Sequence, residues 1–220
     1  MKIENLSVSF EDKVIFKDFS CEFEKNKVTA IMGNSGVGKT TLLNAIAKLV
    51  PFNGKILGVD GVSYMFQEPR LVDISSVYDN LSLVLPDDEK NKHEKILDLV
   101  KKVELENELD TFCGELSGGM KSRVALARAF LRDKEVLLMD EPMRSLDIGL
   151  RKRLWDLLKK LLMDKPKTTL LVTHDVDEAI YLADRIVVLS SSPCQIALSC
   201  AVTSHSASEL KALVLEKLVK

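Results

Sequence analysis

No stretch of this chain approaches the ~18 consecutive apolar residues that a membrane-spanning helix needs, so no transmembrane segment is expected. The opening residues, Met1-Lys2-Ile3-Glu4-Asn5, lack the apolar core and cleavage site of a secretory signal. Cysteine is sparse: Cys21, Cys113, Cys194 and Cys200 are scattered with no C-x-x-C pair. That argues against a disulfide framework or a zinc site, and for free thiols in a reducing cytoplasm. A charge surplus is missing as well. Lysine and arginine number 31 against 33 acids, a net charge of −2, whereas a general nucleic-acid binder needs a clear positive excess. Internal repeats, low-complexity tracts and heptad runs are also absent, which leaves no coiled coil to account for.

What the chain does have is the make-up of a globular protein. Its 220 residues are 46% hydrophobic and 29% charged, close to average and sufficient to bury a core. At about 150 residues per domain, this length fits one large domain or one with a subdomain. Ile3 to Phe10, Val14-Ile15-Phe16 and Val28-Thr29-Ala30-Ile31 read as strands. A helical pattern at Leu42, Leu43, Ile46, Ala47 and Leu49 stops before Pro51. From Leu71 to Glu115 the chain turns polar and helical, with Ile96, Leu97, Leu99, Val100 and Val103 on one face, like an insert carried on the main body. Helix and strand then alternate. Arg123 to Leu131 and Leu150 to Leu162 read as helices, and Val136 to Met139, Leu170 to Val172 and Ile186 to Leu189 as strands. Such alternation implies a largely parallel sheet covered by helices. In the tail, Ser206-Ala207-Ser208-Glu209 is a capping box opening a helix whose apolar face (Leu210, Leu213, Val214, Leu218) is expected to pack on its own domain.

Gly33-Asn34-Ser35-Gly36-Val37-Gly38-Lys39-Thr40 fits G-x-x-x-x-G-K-[ST] at every fixed position, after a strand and opening a helix. The glycines let backbone wrap closely around phosphate oxygens, and successive N–H groups with the helix N-terminus supply positive potential. Lys39 is placed to reach the β- and γ-phosphates and Thr40 to give its hydroxyl to Mg²⁺. Purine nucleotide binding follows, but kinases, GTPases and motor ATPases all remain open. Val136-Leu137-Leu138-Met139-Asp140-Glu141 narrows the choice. An apolar strand ending in Asp140 delivers a carboxylate to the magnesium shell, and the adjacent Glu141 can polarise an attacking water. Hydrolysis is favoured over transfer to a second substrate.

With Leu116-Ser117-Gly118-Gly119-Met120 added to these two motifs, the chain resembles the nucleotide-binding subunits of ATP-binding cassette (ABC) transporters. Signature loops of that family usually read LSGGQ, and here Met120 replaces the final glutamine. Ser117 can cap the helix running to Leu131, while Gly118 and Gly119 leave backbone N–H groups uncovered for an anion. The resemblance implies an α/β fold: a P-loop NTPase core with a parallel sheet, an N-terminal antiparallel β-subdomain and a helical insert. It implies one domain over 1–220, with the ATP-binding core at about 1–70 and 131–205, the helical subdomain at about 71–130 and a C-terminal helix at 206–220.

Site roles are implied in the same way. Gln67 stands where the family's magnesium- and water-contacting glutamine lies, and His174 where its γ-phosphate histidine lies. Ser145-Leu146-Asp147 matches the loop that communicates across the dimer, and Phe10 occupies the place of the aromatic that stacks on adenine. Asp175-Val176-Asp177-Glu178 reads as a helix start with an Asp/Glu box that holds His174 just ahead of it. The expected catalytic group is Glu141, His174, Gln67 and Lys39, with Thr40, Gln67 and Asp140 on the metal. Nucleotide contacts are expected from Phe10, from Gly33 through Thr41, and from Ser117, Gly118 and Gly119.

Phe66-Gln67-Glu68-Pro69-Arg70-Leu71, the Met-ending signature and Thr173 through Ala179 leading into Tyr181-Leu182-Ala183-Asp184-Arg185 resemble the nitrate/sulfonate/taurine-type importer ATPases. Met143-Arg144-Ser145 departs from that subgroup's usual Phe-Gly-Ala. The resemblance implies Mg²⁺ and two ATP molecules sandwiched between two copies of the chain, and permease subunits docking near Glu68 to Asn80. It also implies an extracytoplasmic substrate-binding protein, a peripheral place on the cytoplasmic face of the membrane, and no nucleic-acid partner. Sulfonates, taurine, nitrate or a thiamine-precursor pyrimidine are all compatible as solutes. An ABC ATPase acting on ribosomes or DNA is the alternative; single-cassette length and the lack of heptads between Lys39 and Ser117 speak against it.

Overall fold

The computed structural model describes residues 1–11, 13–143, 146, 148–190 and 193–219. Its strands are β1 (Lys2–Phe10), β2 (Lys13–Glu22), β3 (Val28–Gly33), β4 (Asn53–Leu57), β5 (Val62–Met65), β6 (Val136–Asp140), β7 (Thr168–Val172), β8 (Arg185–Leu189) and β9 (Ile196–Ala201). Its α-helices are α1 (Lys39–Ile46), α2 (Val77–Ser82), α3 (Lys92–Lys102), α4 (Gly118–Leu131), α5 (Ile148–Asp164), α6 (Val176–Leu182) and α7 (Ala207–Val219).

The partly alternating opening segment forms an antiparallel sheet of order β2-β1-β4. Ile3, Leu6 and Val8 turn inward from β1, and Phe16 and Phe19 from β2. The second sheet has order β5-β6-β7-β3-β8-β9, parallel throughout except for β9, which returns antiparallel along β8. All residues of β3, β6 and β7 are buried, as a parallel sheet covered on both faces requires. The pleat divides them. Val136 and Leu138 face α1 and the small sheet, whereas Leu137 and Met139 face a core built with α4, α5 and α6.

The sequence expectation of an α/β fold with a parallel sheet and helical insert holds, with added detail. Val14 to Phe16 lies in the first half of a ten-residue strand. Strand β4 carries no apolar period that would announce it, whereas β9 alternates Ile196, Leu198 and Cys200, and α2 spaces buried Val77 and Leu81 four apart behind a Ser76 cap. After β5 the chain enters α2, α3 and α4, which pack on one another. Buried Asn80 organises the entry: its amide nitrogen donates to the carbonyls of Val72 and Ser76, both at 3.0 Å, and its Oδ1 accepts from the Val72 N–H at 2.8 Å.

Caps mark the helix ends. Ser117 accepts from the Met120 N–H, and the Ser206/Glu209 box is present, with the Ser206 N–H donating to the Glu209 carboxylate at 2.9 Å. One expected cap is corrected. Asp175 caps α6 by accepting from the N–H groups of Asp177 and Glu178, but Glu178 does not complete a box. Its carboxylate lies 4% exposed and accepts from the Thr173 hydroxyl and from the Trp155 indole N–H. A second anchor inside the protein outcompetes the local return bond. The four cysteines are free, as expected, and Cys113 and Cys194 are buried.

Tail helix α7 lies against α6, β8 and β9 with Leu210 and Val214 fully buried, as its pattern requires. Leu210→Ala is expected to cost about 2–4 kcal/mol in urea unfolding, the range for emptying a buried leucine site. A loss under about 1 kcal/mol would mean that α7 is not part of the cooperative core.

Candidate active site at the head of α1

The phosphate-loop segment does what its residue types demand. β3 ends at Gly33 and α1 begins at Lys39, with Gly38 at the N-cap in the left-handed region, φ +116°. A side chain at residue 38 would meet Ile15 Cγ2 at 2.7 Å, so glycine is required twice over, by conformation and by space. Gly38 has no side chain to cap the first-turn N–H groups of α1, which are therefore left to an anion. Lys39, 8% exposed, donates from its ammonium to the Gly33 carbonyl at 2.7 Å and the Asn34 carbonyl at 3.0 Å. Burial pulls its pKa below the usual lysine value, and the negative charges of Glu141 and Asp140 push it back.

Those two carboxylates come from the end of β6. Asp140 is 5% exposed, and burial raises its pKa, while a hydrogen bond from the Thr40 side chain opposes the rise. Glu141 stands just past the strand at φ +44°, with its N–H donating to the Val172 carbonyl at 2.9 Å on the neighbouring strand. Left-handed backbone at a non-glycine residue is unfavourable and persists where surrounding structure fixes it. Its Oε2 lies 3.5 Å from Nδ1 of His174, which follows β7 and is 58% exposed.

Gly33, Ser35, Gly36, Gly38, Lys39, Thr40, Thr41, Gln67, Glu141 and His174 line one cavity of about 380 Å³. Asp140 stands behind that lining, hydrogen-bonded by Thr40. A polyphosphate-bearing nucleotide fits these groups: a helix head, a lysine and a hydroxyl, backed by a buried carboxylate that suits a divalent cation. Other expected contacts lie elsewhere. Val37 turns its side chain into the core, 8% exposed, beside the small sheet. Phe10, at the end of β1 and 44% exposed, is not among the cavity-lining residues, and neither is Asn34. Ser117, Gly118 and Gly119 sit at the head of α4, away from that lining. Ser145 and Asp147 fall outside the described residues.

Sequence reasoning missed what holds His174. The Thr173 hydroxyl accepts from the Asp175 N–H at 3.0 Å and donates to Glu178, and Arg151 of α5 donates to Asp175 Oδ2 at 2.8 Å. No spacing in the sequence joins Arg151 or Trp155 to this loop.

Fold and cavity together define a P-loop nucleoside-triphosphate hydrolase. A family profile described as ABC transporter matches residues 16–144. The aliphatic sulfonates import ATP-binding protein SsuB of Bacillus licheniformis is 38% identical over 197 residues, covering 86% of this chain and 77% of that protein. Aliphatic sulfonates import ATP-binding protein SsuB 2 of Mesorhizobium japonicum is 41% identical over 194 residues, with coverage of 86% and 77%. Among solved structures, a dimeric bacterial ABC transporter cassette superposes with a TM-score of 0.80 at 25% identity, over 91% of this chain and 98% of that one. The chain belongs to the ABC transporter family, as an ATP-binding and ATP-hydrolysing subunit.

Gly38→Ala tests the loop. Its forced left-handed backbone and the contact with Ile15 are expected to lower ATP affinity at least tenfold, equivalent to about 1.4 kcal/mol, in a titration calorimeter. Unchanged affinity would show that α1 does not present its head to the nucleotide.

Proposed function

We propose that this chain works as a pair, with two ATP molecules held between two copies, and that their hydrolysis drives uptake of a solute, most simply an aliphatic sulfonate as in the relatives' names. The observation that carries the pairing is the separation of the donor sets. Lys39, Thr40, Gln67, Glu141 and His174 share one cavity, while Ser117, Gly118 and Gly119 present a second helix head elsewhere. A helix head with open glycine at residue 118 is suited to an anion that its own chain holds at a different place. Two copies arranged head to tail bring each signature to the other's cavity.

In this reading Thr40, Asp140 and Gln67 hold Mg²⁺, and Lys39 with the α1 head holds the β- and γ-phosphates. The bound ion supplies charge neutralisation on the phosphate oxygens. Glu141 takes the proton of the attacking water, its position fixed by the Val172 carbonyl, and His174 contacts the γ-phosphate beside it. Phe10 stacks on adenine from the exposed end of β1. The γ-phosphate bridges two chains only while ATP is intact, so hydrolysis releases the pair.

Among the described residues no helix is long and apolar enough to cross a membrane, so solute passage is assigned to separate permease subunits, with this chain docked on the cytoplasmic face. A substrate-binding protein outside the membrane completes the importer. A groove of about 310 Å³ between α1, β5 and the helices after it is the docking place. Leu49 and Leu83 stand on it 57% and 67% exposed. Leu71, within the expected contact stretch, packs instead against the core.

Two experiments test this reading. Glu141→Gln with Mg-ATP is expected to elute as a dimer and to hydrolyse at least a hundredfold more slowly, and a monomer at saturating Mg-ATP would end the sandwich model. Leu83→Glu is expected to keep the ATPase rate of the free chain while losing co-purification with a multi-span permease from gently solubilised membranes. Undiminished recovery would move the docking surface elsewhere.

A further inference from the structure

Gln67 reaches the cavity from an exposed loop between β5 and α2, and such a loop does not aim a side chain unaided. Contacts on both sides of the glutamine hold it. Before it, Tyr64 and Phe66 stack with centroids 4.0 Å apart and 15° between planes. The Tyr64 hydroxyl donates to Asn44 Oδ1 at 3.1 Å, which ties the stack to α1, the helix of the phosphate loop. After it, Arg128 of α4 donates one guanidinium nitrogen to the Pro69 carbonyl at 2.6 Å and the other to the Arg70 carbonyl at 2.8 Å. Arg70 is in the left-handed region at φ +47° and lays its own guanidinium over the Phe66 ring at 3.8 Å. The two sides of the loop therefore touch across Gln67.

We propose that Arg128 is a positioning residue for Gln67: its two-pronged hold on the Pro69 and Arg70 carbonyls fixes the loop that points the glutamine into the cavity. A left-handed conformation at arginine persists only where the surroundings over-determine it, and two charge-assisted hydrogen bonds to successive carbonyls provide that determination. The planar fork of a guanidinium spans both acceptors at once, which an ammonium does not. Arg128 also lies about 16 Å along α4 from Ser117, at 1.5 Å per residue. A shift of that rigid helix carries the two carbonyls with it, so the signature end of α4 and the glutamine move as linked parts. Arg128 also lines the groove that holds Leu49 and Leu83, which places it where a docked partner meets the loop.

This inference rests on Gln67 serving the ATP site, and the test separates the two. Steady-state ATP hydrolysis by the full chain with Mg²⁺ is measured for the wild type, Gln67→Ala, Arg128→Gln, Arg128→Lys and the double variant Gln67→Ala/Arg128→Gln. Arg128→Gln is expected to lower kcat about tenfold with KM for ATP within about twofold, and Arg128→Lys to fall between it and the wild type. The double variant is expected to be no slower than the slower single, because both changes remove one function. Wild-type kcat in Arg128→Gln beside a slow Gln67→Ala overturns the inference and leaves the site intact, and multiplied losses in the double variant do the same. Wild-type kcat in Gln67→Ala removes the site role of the glutamine and the inference with it. Should Arg128→Gln fail to fold, Arg128→Lys with a wild-type melting midpoint decides: reduced kcat supports the hold, and unchanged kcat overturns it.

Discussion

Lys39 carries a positive charge at 8% exposure, held by the Gly33 and Asn34 carbonyls and by the fields of Asp140 and Glu141. Burial at that depth is tolerable only with such partners, because an unpaired buried ammonium would lose its proton or unfold the site. The partners come from distant parts of the chain, and the sheet order brings them together. Strands β6, β7 and β3 are parallel neighbours, so their carboxyl ends converge on one edge, where Asp140, the Thr173-His174 turn and Gly33 all emerge. The small sheet is bound into the same arrangement. Ile15 of β2 closes against residue 38, and that contact admits only glycine at the head of α1.

Where the fold was legible, burial wrote it into the sequence. Strands β3, β6, β7 and β8, buried on both faces over most of their length, each carry an apolar run (Ala30 to Met32, Val136 to Met139, Leu170 to Val172 and Ile186 to Leu189), and α4 and α7 begin at the serines that announced them. Strand β4 was silent for the opposite reason, while α2 fell within the stretch read as helical. That strand lies at a sheet edge with mostly exposed side chains and owes its place to backbone pairing with β1, which leaves no period of its own; β9, the other late edge strand, has only the short alternation that sets Leu198 and Cys200 on the core. All ten cavity-lining residues stand in segments that the motifs had picked out. What the motifs did not distinguish is which residues of a loop contribute side chains. Val37 satisfies the pattern and serves the core, and Glu178 satisfies a capping box yet pairs with Thr173 and Trp155.

The two signature glycines divide their work in a way that sequence alone does not reveal. A Cβ on Gly119 would fall 2.2 Å from Leu150 Cδ2, so its absence lets α5 close against the head of α4. Among the described residues, a Cβ on Gly118 would meet nothing within 4 Å. One glycine is explained by packing inside the chain. The other is not, and the proposed second copy supplies a reason: an approaching phosphate needs backbone N–H groups with no side chain in the way.

Gln67 and His174 present a shared physical problem, since each is exposed on a loop with little surface to pack against. In both cases the hold comes from behind, through polar groups on neighbouring helices. Arg151 of α5 and the Thr173–Glu178–Trp155 bonds fix the turn that bears His174, and Arg128 of α4 fixes the turn that bears Gln67. Hydrogen bonds to backbone carbonyls and to a helix cap are directional, so they set the angle of a loop, which apolar contact at an exposed position does not. They also make each loop answer to the helix that holds it. In the proposed assembly, a helix held in turn by a partner, at the signature end or along the groove, thereby gains access to the geometry of the ATP cavity through one or two side chains.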